Sequence, residues 1–205
     1  MLAPKENFNE AHNGKPVNIY YLQNKGLAVA ITNYGARIVN LVVPDIQGNF
    51  IDVIVGCDSY ESFYQSKEPY FGTIIGRFCN RIANRKFAID GIQFCLPENS
   101  GSNTLHGGPG SFHTVVWDVL QHNENLVKLS YLSRDGDQGF PGNMKVYVTY
   151  SVNDEGELRI DFEAESDKKT VCNLTNHAFF NLNGSGGVGN HMLMINADKF
   201  IPINA

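Results

Sequence analysis

Three loop-rich segments carry residue types that could do chemistry. The first is Gly76-Arg77-Phe78-Cys79-Asn80-Arg81-Ile82-Ala83-Asn84-Arg85, with three arginines and two asparagines in ten residues. The second is Asn103-Thr104-Leu105-His106-Gly107-Gly108-Pro109-Gly110, and the third runs from Asn173-Leu174-Thr175-Asn176-His177 through Ala178-Phe179-Phe180-Asn181 to Gly184. Each mixes Asn, Arg or His with aromatics and glycines. Such an inventory suits a neutral polyhydroxylated ligand. Hydroxyls need fixed donors and acceptors, the apolar faces of a sugar ring need aromatics, and close backbone approach needs glycine.

Taken singly, each segment also has a plainer reading. The arginines fit solvated ion-pair partners. Gly107-Gly108-Pro109-Gly110 fits a tight turn, and it is no Walker-type phosphate cradle because no Gly-Lys-Ser/Thr closes it. His177 fits a buried, hydrogen-bonded core histidine, and His12, His113, His122 and His191 read as structural. Asp135-Gly136-Asp137-Gln138-Gly139 fails as a calcium loop, since its fifth position is Gly and its twelfth, Val146, is not Glu.

The elements that must position these segments have strand periodicity. From Leu158 to Glu165, apolar and charged residues alternate without a miss, which predicts that Leu158, Ile160, Phe162 and Ala164 face a core. Val146, Val148, Tyr150 and Val152 share one face of a preceding run, joined to it by the turn residues 153–157. Further strands are expected at 17–23, 27–32, 36–43, 51–55, 86–95, 114–120, 126–132, 171–175 and 191–196, and one short helix within 58–67. Asn24-Lys25-Gly26, Asp45 to Asn49 and Asp90-Gly91 are turn signals between them. Many strands and almost no helix predict an all-β fold, a large β-sandwich, in a single domain over 1–205.

Composition narrows the function classes. The 205 residues are 42% apolar and 18% charged, a globular balance. Sixteen basic against 21 acidic residues, a formal charge of −5, argue against a nucleic-acid or anionic-membrane partner. No apolar run approaches the roughly 18 residues of a membrane span, and the polar N-terminus lacks a secretion signal. A cytoplasmic location is the expectation. Cys57, Cys79, Cys95 and Cys172 are far apart, without metal-site or redox spacing, and are expected to be reduced and partly buried. No metal or other cofactor is signalled.

Five stretches together go further: Asn33-Tyr34-Gly35-Ala36-Arg37-Ile38, Gly76 to Asn84, Asn103 to Pro109, Asp135-Gly136 to Phe140-Pro141-Gly142, and Asn173 to Gly184. In this order and spacing the chain resembles the galactose mutarotase (aldose 1-epimerase) family over nearly its whole length. The resemblance implies the mutarotase-like supersandwich and an enzyme that interconverts the α and β anomers of free hexoses such as galactose and glucose. Residue by residue, it places the sugar-binding Asn-Arg pair on Asn80 and Arg81, the first active-site histidine on His106 and the proton donor on His177. It also places an aromatic sugar contact on Phe179, where the family more often has Tyr.

The family's glutamate base and aspartate sugar ligand lie in a C-terminal third. The chain is therefore expected to be an N-terminal portion, holding the acid half of the site and inactive alone. Glu163 and Glu165, on a strand's charged face, are not expected to replace the base. The missing portion, or a second copy of the chain, is the expected partner. A non-catalytic carbohydrate-binding domain and an epimerase of hexose 6-phosphates are the alternatives, the second suggested by Arg77, Arg81 and Arg85.

Overall fold

The structure is a computed structural model and describes residues 1–200. Residues 201–205 lie outside the described residues.

Two four-stranded antiparallel sheets form the body. The N-terminal sheet has the order Ile19–Asn24, Leu27–Thr32, Arg37–Pro44, Phe50–Asp52; the other runs Asp118–His122, Leu126–Ser133, Met144–Val152, Leu158–Ser166. They meet face to face. Leu22, Val29, Ile31 and Ile38 from one pack with Val127, Leu129, Val146 and Val148 from the other in a single buried cluster that also holds Trp117 and Phe112. This is the all-β sandwich that the alternating pattern predicts.

The hairpin from Met144 to Ser166 follows the sequence closely. Val152 pairs with Leu158, Val148 with Phe162 and Val146 with Ala164. Its turn is built by Asn153, whose side-chain oxygen accepts from the backbone N–H of Glu155 (3.1 Å) and of Glu157 (2.9 Å). Residues 86–95 form a second hairpin, Lys86–Ile89 with Ile92–Cys95, turning at Asp90 and Gly91 (φ 50° and 80°). The one α-helix among the described residues, Tyr60–Gln65, starts where Ser59 Oγ accepts from the Ser62 N–H at 3.2 Å.

Several expectations need correction. Ala164 is exposed, whereas Leu158, Ile160 and Phe162 pack half-buried against the core as expected, from the outer strand of the sheet. Residues 191–196 form no strand. Met192, Leu193, Met194 and Ile195 are exposed, with no ladder partner among the described residues, and an apolar run without a partner cannot close backbone hydrogen bonds. The strand expected at 114–120 begins only at Asp118, after a 3₁₀ turn at Phe112–Thr114. Cys57 and Cys79 are half-buried, but Cys95 and Cys172 are exposed. No described helix is long and apolar enough to cross a membrane.

Two buried arginines tie loops to this body. Arg77, 1% exposed, donates Nε to Ser133 Oγ (2.9 Å) and its guanidinium nitrogens to the carbonyls of Ser133, Arg134, Pro141 and Gly142 (2.8–2.9 Å). The plainer reading, a solvated ion pair, does not hold for it. Arg37, also 1% exposed, donates to the carbonyls of Tyr34, Pro69 and His113, and burial lowers its pKa to about 10. His113 is 4% exposed, its Nδ1 is without a partner, and burial, with Arg37 and His106 nearby, lowers its pKa to about 3.

Replacing Arg77 by Met strands those carbonyls and is expected to cost about 3 kcal/mol or more in urea unfolding; a loss under about 1 kcal/mol would count against the anchoring role. For His113, the unfolded chain takes up a proton near pH 6.5 and the folded chain only near pH 3. Between these values the unfolded state binds more protons, so stability is intact above pH 6.5 and falls as pH drops. From pH 7.5 to 4.5 this group is expected to remove about 2–3 kcal/mol. His113→Phe should remove that share of the slope in paired unfolding curves, and an unchanged slope would refute the assignment.

Candidate active site

The three polar segments are fastened to one another by very short backbone pairings. Thr175–Asn176 pairs antiparallel with Ile74–Ile75, Arg81–Ile82 with Thr104–Leu105, and Phe179–Phe180 with Ile54–Val55. Phe78 bridges Asn173. The His177 N–H donates to the Thr73 carbonyl (2.8 Å) and its carbonyl accepts from the Gly72 N–H (3.1 Å). Asn176 donates to the Gly72 carbonyl (2.8 Å) and to Tyr150 Oη (3.2 Å). The histidine backbone is therefore held on both sides.

His106 sits at the end of its pairing in the left-handed region, φ 54°, as does Asn80 across from it at φ 69°. Neither is a glycine, and such positions persist only where surrounding bonds determine them. Here the His106 N–H donates to the Asn80 carbonyl (3.1 Å) and the Asn80 N–H donates back to His106 Nδ1 (3.0 Å). Asn80 Oδ1 accepts from the Arg81 N–H (2.8 Å). Gly107 follows at φ 86°, where a Cβ would lie 2.0 Å from the Gly76 carbonyl oxygen, so only glycine fits between the two segments.

All five expected site residues converge. The His106 and His177 rings lie edge to face, centroids 4.9 Å apart and 82° between planes. Phe179 lies 5.0 Å from His177 and 5.1 Å from Phe71, forming an apolar wall. Asn80 and Arg81 are exposed, while His106, His177 and Phe179 are half-buried. Burial first, then His177 and Arg81, push the His106 pKa down to about 4. It is therefore neutral near pH 7. Its Nδ1 accepts from the Asn80 amide, which leaves the proton on Nε2 as an outward donor.

Other candidates lie elsewhere. Arg85 pairs with Glu98 at 3.6 Å and Glu163 with Lys128 at 2.8 Å. Asp135 pairs with Lys168 at 2.7 Å and accepts from the Gly142 N–H, which shapes the loop that receives Arg77. Among the described residues no group of three or more His, Cys, Asp or Glu could hold a metal ion. Sequence reasoning missed Tyr70, whose ring touches both imidazoles of the pair. Nothing local marks it, because it stands in an irregular stretch without periodicity.

A family model described as aldose 1-epimerase matches residues 18–205. The galactose mutarotase of Bos taurus is 42% identical over 192 residues, 92% of this chain and 55% of that one. The aldose 1-epimerase of Escherichia coli (strain K12) is 37% identical over 196 residues, 95% of this chain and 56% of that one. Of solved structures, the GalM/aldose epimerase homologue from C. elegans superposes with a TM-score of 0.79 at 35% identity, covering 82% of this chain and 52% of that chain. The galactose 1-epimerase from Lactobacillus acidophilus NCFM gives 0.74 at 29% identity, covering 84% and 51%. The chain thus spans little more than half the length of the curated relatives it matches. The matched residues include all three segments of the site, and the chain belongs to the aldose 1-epimerase family.

Proposed function

We propose that this chain carries the proton-donor half of an aldose 1-epimerase site acting on free hexoses such as galactose and glucose. The observation that carries this reading is the pair of imidazoles, His106 and His177, in edge-to-face contact beside Asn80 and Arg81.

Anomer exchange opens the pyranose ring. The C1 hydroxyl loses a proton, the bond from C1 to the ring oxygen breaks, and that oxygen takes a proton. The aldehyde turns about C1–C2 and the ring closes on its other face. The step needs a donor at the ring oxygen and an acceptor at the C1 hydroxyl. His106, neutral and donating through Nε2, suits a hydrogen bond to a sugar oxygen rather than proton delivery. His177 is then the donor. Arg81 and Asn80 orient hydroxyls, and Phe179, lacking a phenol oxygen, supplies an apolar face. On this reading the accepting carboxylate and the aspartate ligand belong to the part of the relatives' length that this chain does not span.

The hexose 6-phosphate reading finds less support. Of the three arginines that suggested it, Arg77 is buried on backbone carbonyls and Arg85 is paired with Glu98. Only Arg81 is left at the site, too little for a phosphate in addition to a ring.

Four outcomes are expected. By polarimetry of fresh α-D-galactose, the 205-residue chain leaves the rate at its buffer value; enzyme-level rates would locate both proton partners within it. Read by NMR shift changes, Arg81→Ala weakens galactose binding about tenfold, whereas His177→Asn keeps affinity within about threefold. In any form of the protein that turns over, His177→Asn lowers the rate by about 10² to 10⁴; a binding domain has no rate to lose. Finally, glucose 6-phosphate binds no more than about threefold tighter than glucose. A tenfold preference, worth about 1.4 kcal/mol, would favour the phosphate reading.

A further inference from the structure

Tyr70 stands where the proposed machinery meets its support. Its ring centroid is 4.7 Å from that of His106, with planes at 74°, and 5.6 Å from that of His177, with planes at 33°. A third imidazole, the buried His113, lies 4.9 Å away. The half-buried tyrosine therefore touches both imidazoles of the proposed pair and a third behind them.

The backbone that carries it is pinned at successive residues. The Pro69 carbonyl accepts from buried Arg37, the Tyr70 N–H donates to Glu68 Oε1 at 3.1 Å, and the Tyr70 carbonyl accepts from the Thr73 N–H at 3.3 Å. Thr73 Oγ1 donates to the Gly35 carbonyl at 2.7 Å. Arg37 Nη2 also donates to the His113 carbonyl, at 3.2 Å, so one guanidinium grips both backbone segments that present Tyr70 and His113. The ring has little freedom to move, and the His106 and His177 rings rest on it.

We propose that Tyr70 is a positioning residue: its ring, backed by His113 and clamped through Arg37, sets the separation and angle of His106 and His177. The inference rests on reading those two histidines as the working pair. Contact with a fixed aromatic ring limits each imidazole to few rotamers and removes water from one side of His106. The charged or titratable groups that act on His106 are His177 and Arg81, with His113 behind Tyr70. Loss of the ring therefore acts on His106 chiefly through renewed solvation.

The test is an NMR titration of the imidazoles in the 205-residue chain, which needs neither sugar nor turnover. Tyr70→Leu is expected to raise the His106 pKa by about one unit or more, a tenfold change in proton affinity. Tyr70→Phe, which keeps the ring, is expected to leave it within about 0.3 units. A folded Tyr70→Leu chain in which His106 titrates as in the parent would overturn the proposal, as would a Tyr70→Phe chain that behaves like the Leu variant. Should Tyr70→Leu fail to fold, Tyr70→Met, unbranched and flexible enough to fill an irregular gap but also without a ring, takes its place with the same expectation. In the parent chain, nuclear Overhauser contacts from the Tyr70 ring protons to both imidazoles are expected, and their absence also overturns it. Failure of the chain to bind galactose would instead count against the proposed function and leave these readouts untouched.

Discussion

A ladder of only two residues on each side governs this molecule. Ile74–Ile75 and Thr175–Asn176 are about a hundred positions apart in the chain, yet their pairing, continued by the bonds of His177 to Gly72 and Thr73, locates the site. It sets His177 against Tyr70, and through Tyr70 against His106. So short a ladder holds little free energy of its own. It persists because Ile74 and Ile75 are fully buried and Asn176 fastens the far side to Gly72 and Tyr150.

Electrostatics in the site follow from that geometry. Burial first, then the His177 ring against it and Arg81 alongside, disfavour a proton on His106. The backbone then chooses the tautomer, since the Asn80 amide occupies Nδ1. A single fold feature, the left-handed turn at Asn80 and His106, thus fixes His106 as a neutral donor through Nε2. The same loop needs Gly107, because it runs against the Gly76 carbonyl with no room for a methyl group.

The arginines show how one residue type divides by environment. Arg77 and Arg37 hold backbone carbonyls in the interior, Arg85 meets Glu98, and Arg81 is exposed beside His106. A guanidinium presents five N–H donors in a planar fork, so it can close off several irregular carbonyls at once where no strand partner exists. That is why the loops around the site can be irregular and still be ordered.

Much of the sandwich was legible in the chain itself. The strict alternation from Met144 to Ser166 dictates strands because the pleat has a period of two, and Asn153 and Asp90-Gly91 dictate turns by local backbone chemistry. The five site residues were legible through a family resemblance, and their convergence follows from the order of the segments. Other features were decided only in three dimensions. Whether an arginine faces water or carbonyls depends on what the fold brings to it, and no spacing around Arg77 distinguishes it from Arg85. Residues 191–196 have a strand's composition but no ladder partner among the described residues, so composition misled. Tyr70 acquires its place from three histidines at positions 106, 113 and 177, contacts that exist only once distant segments have met.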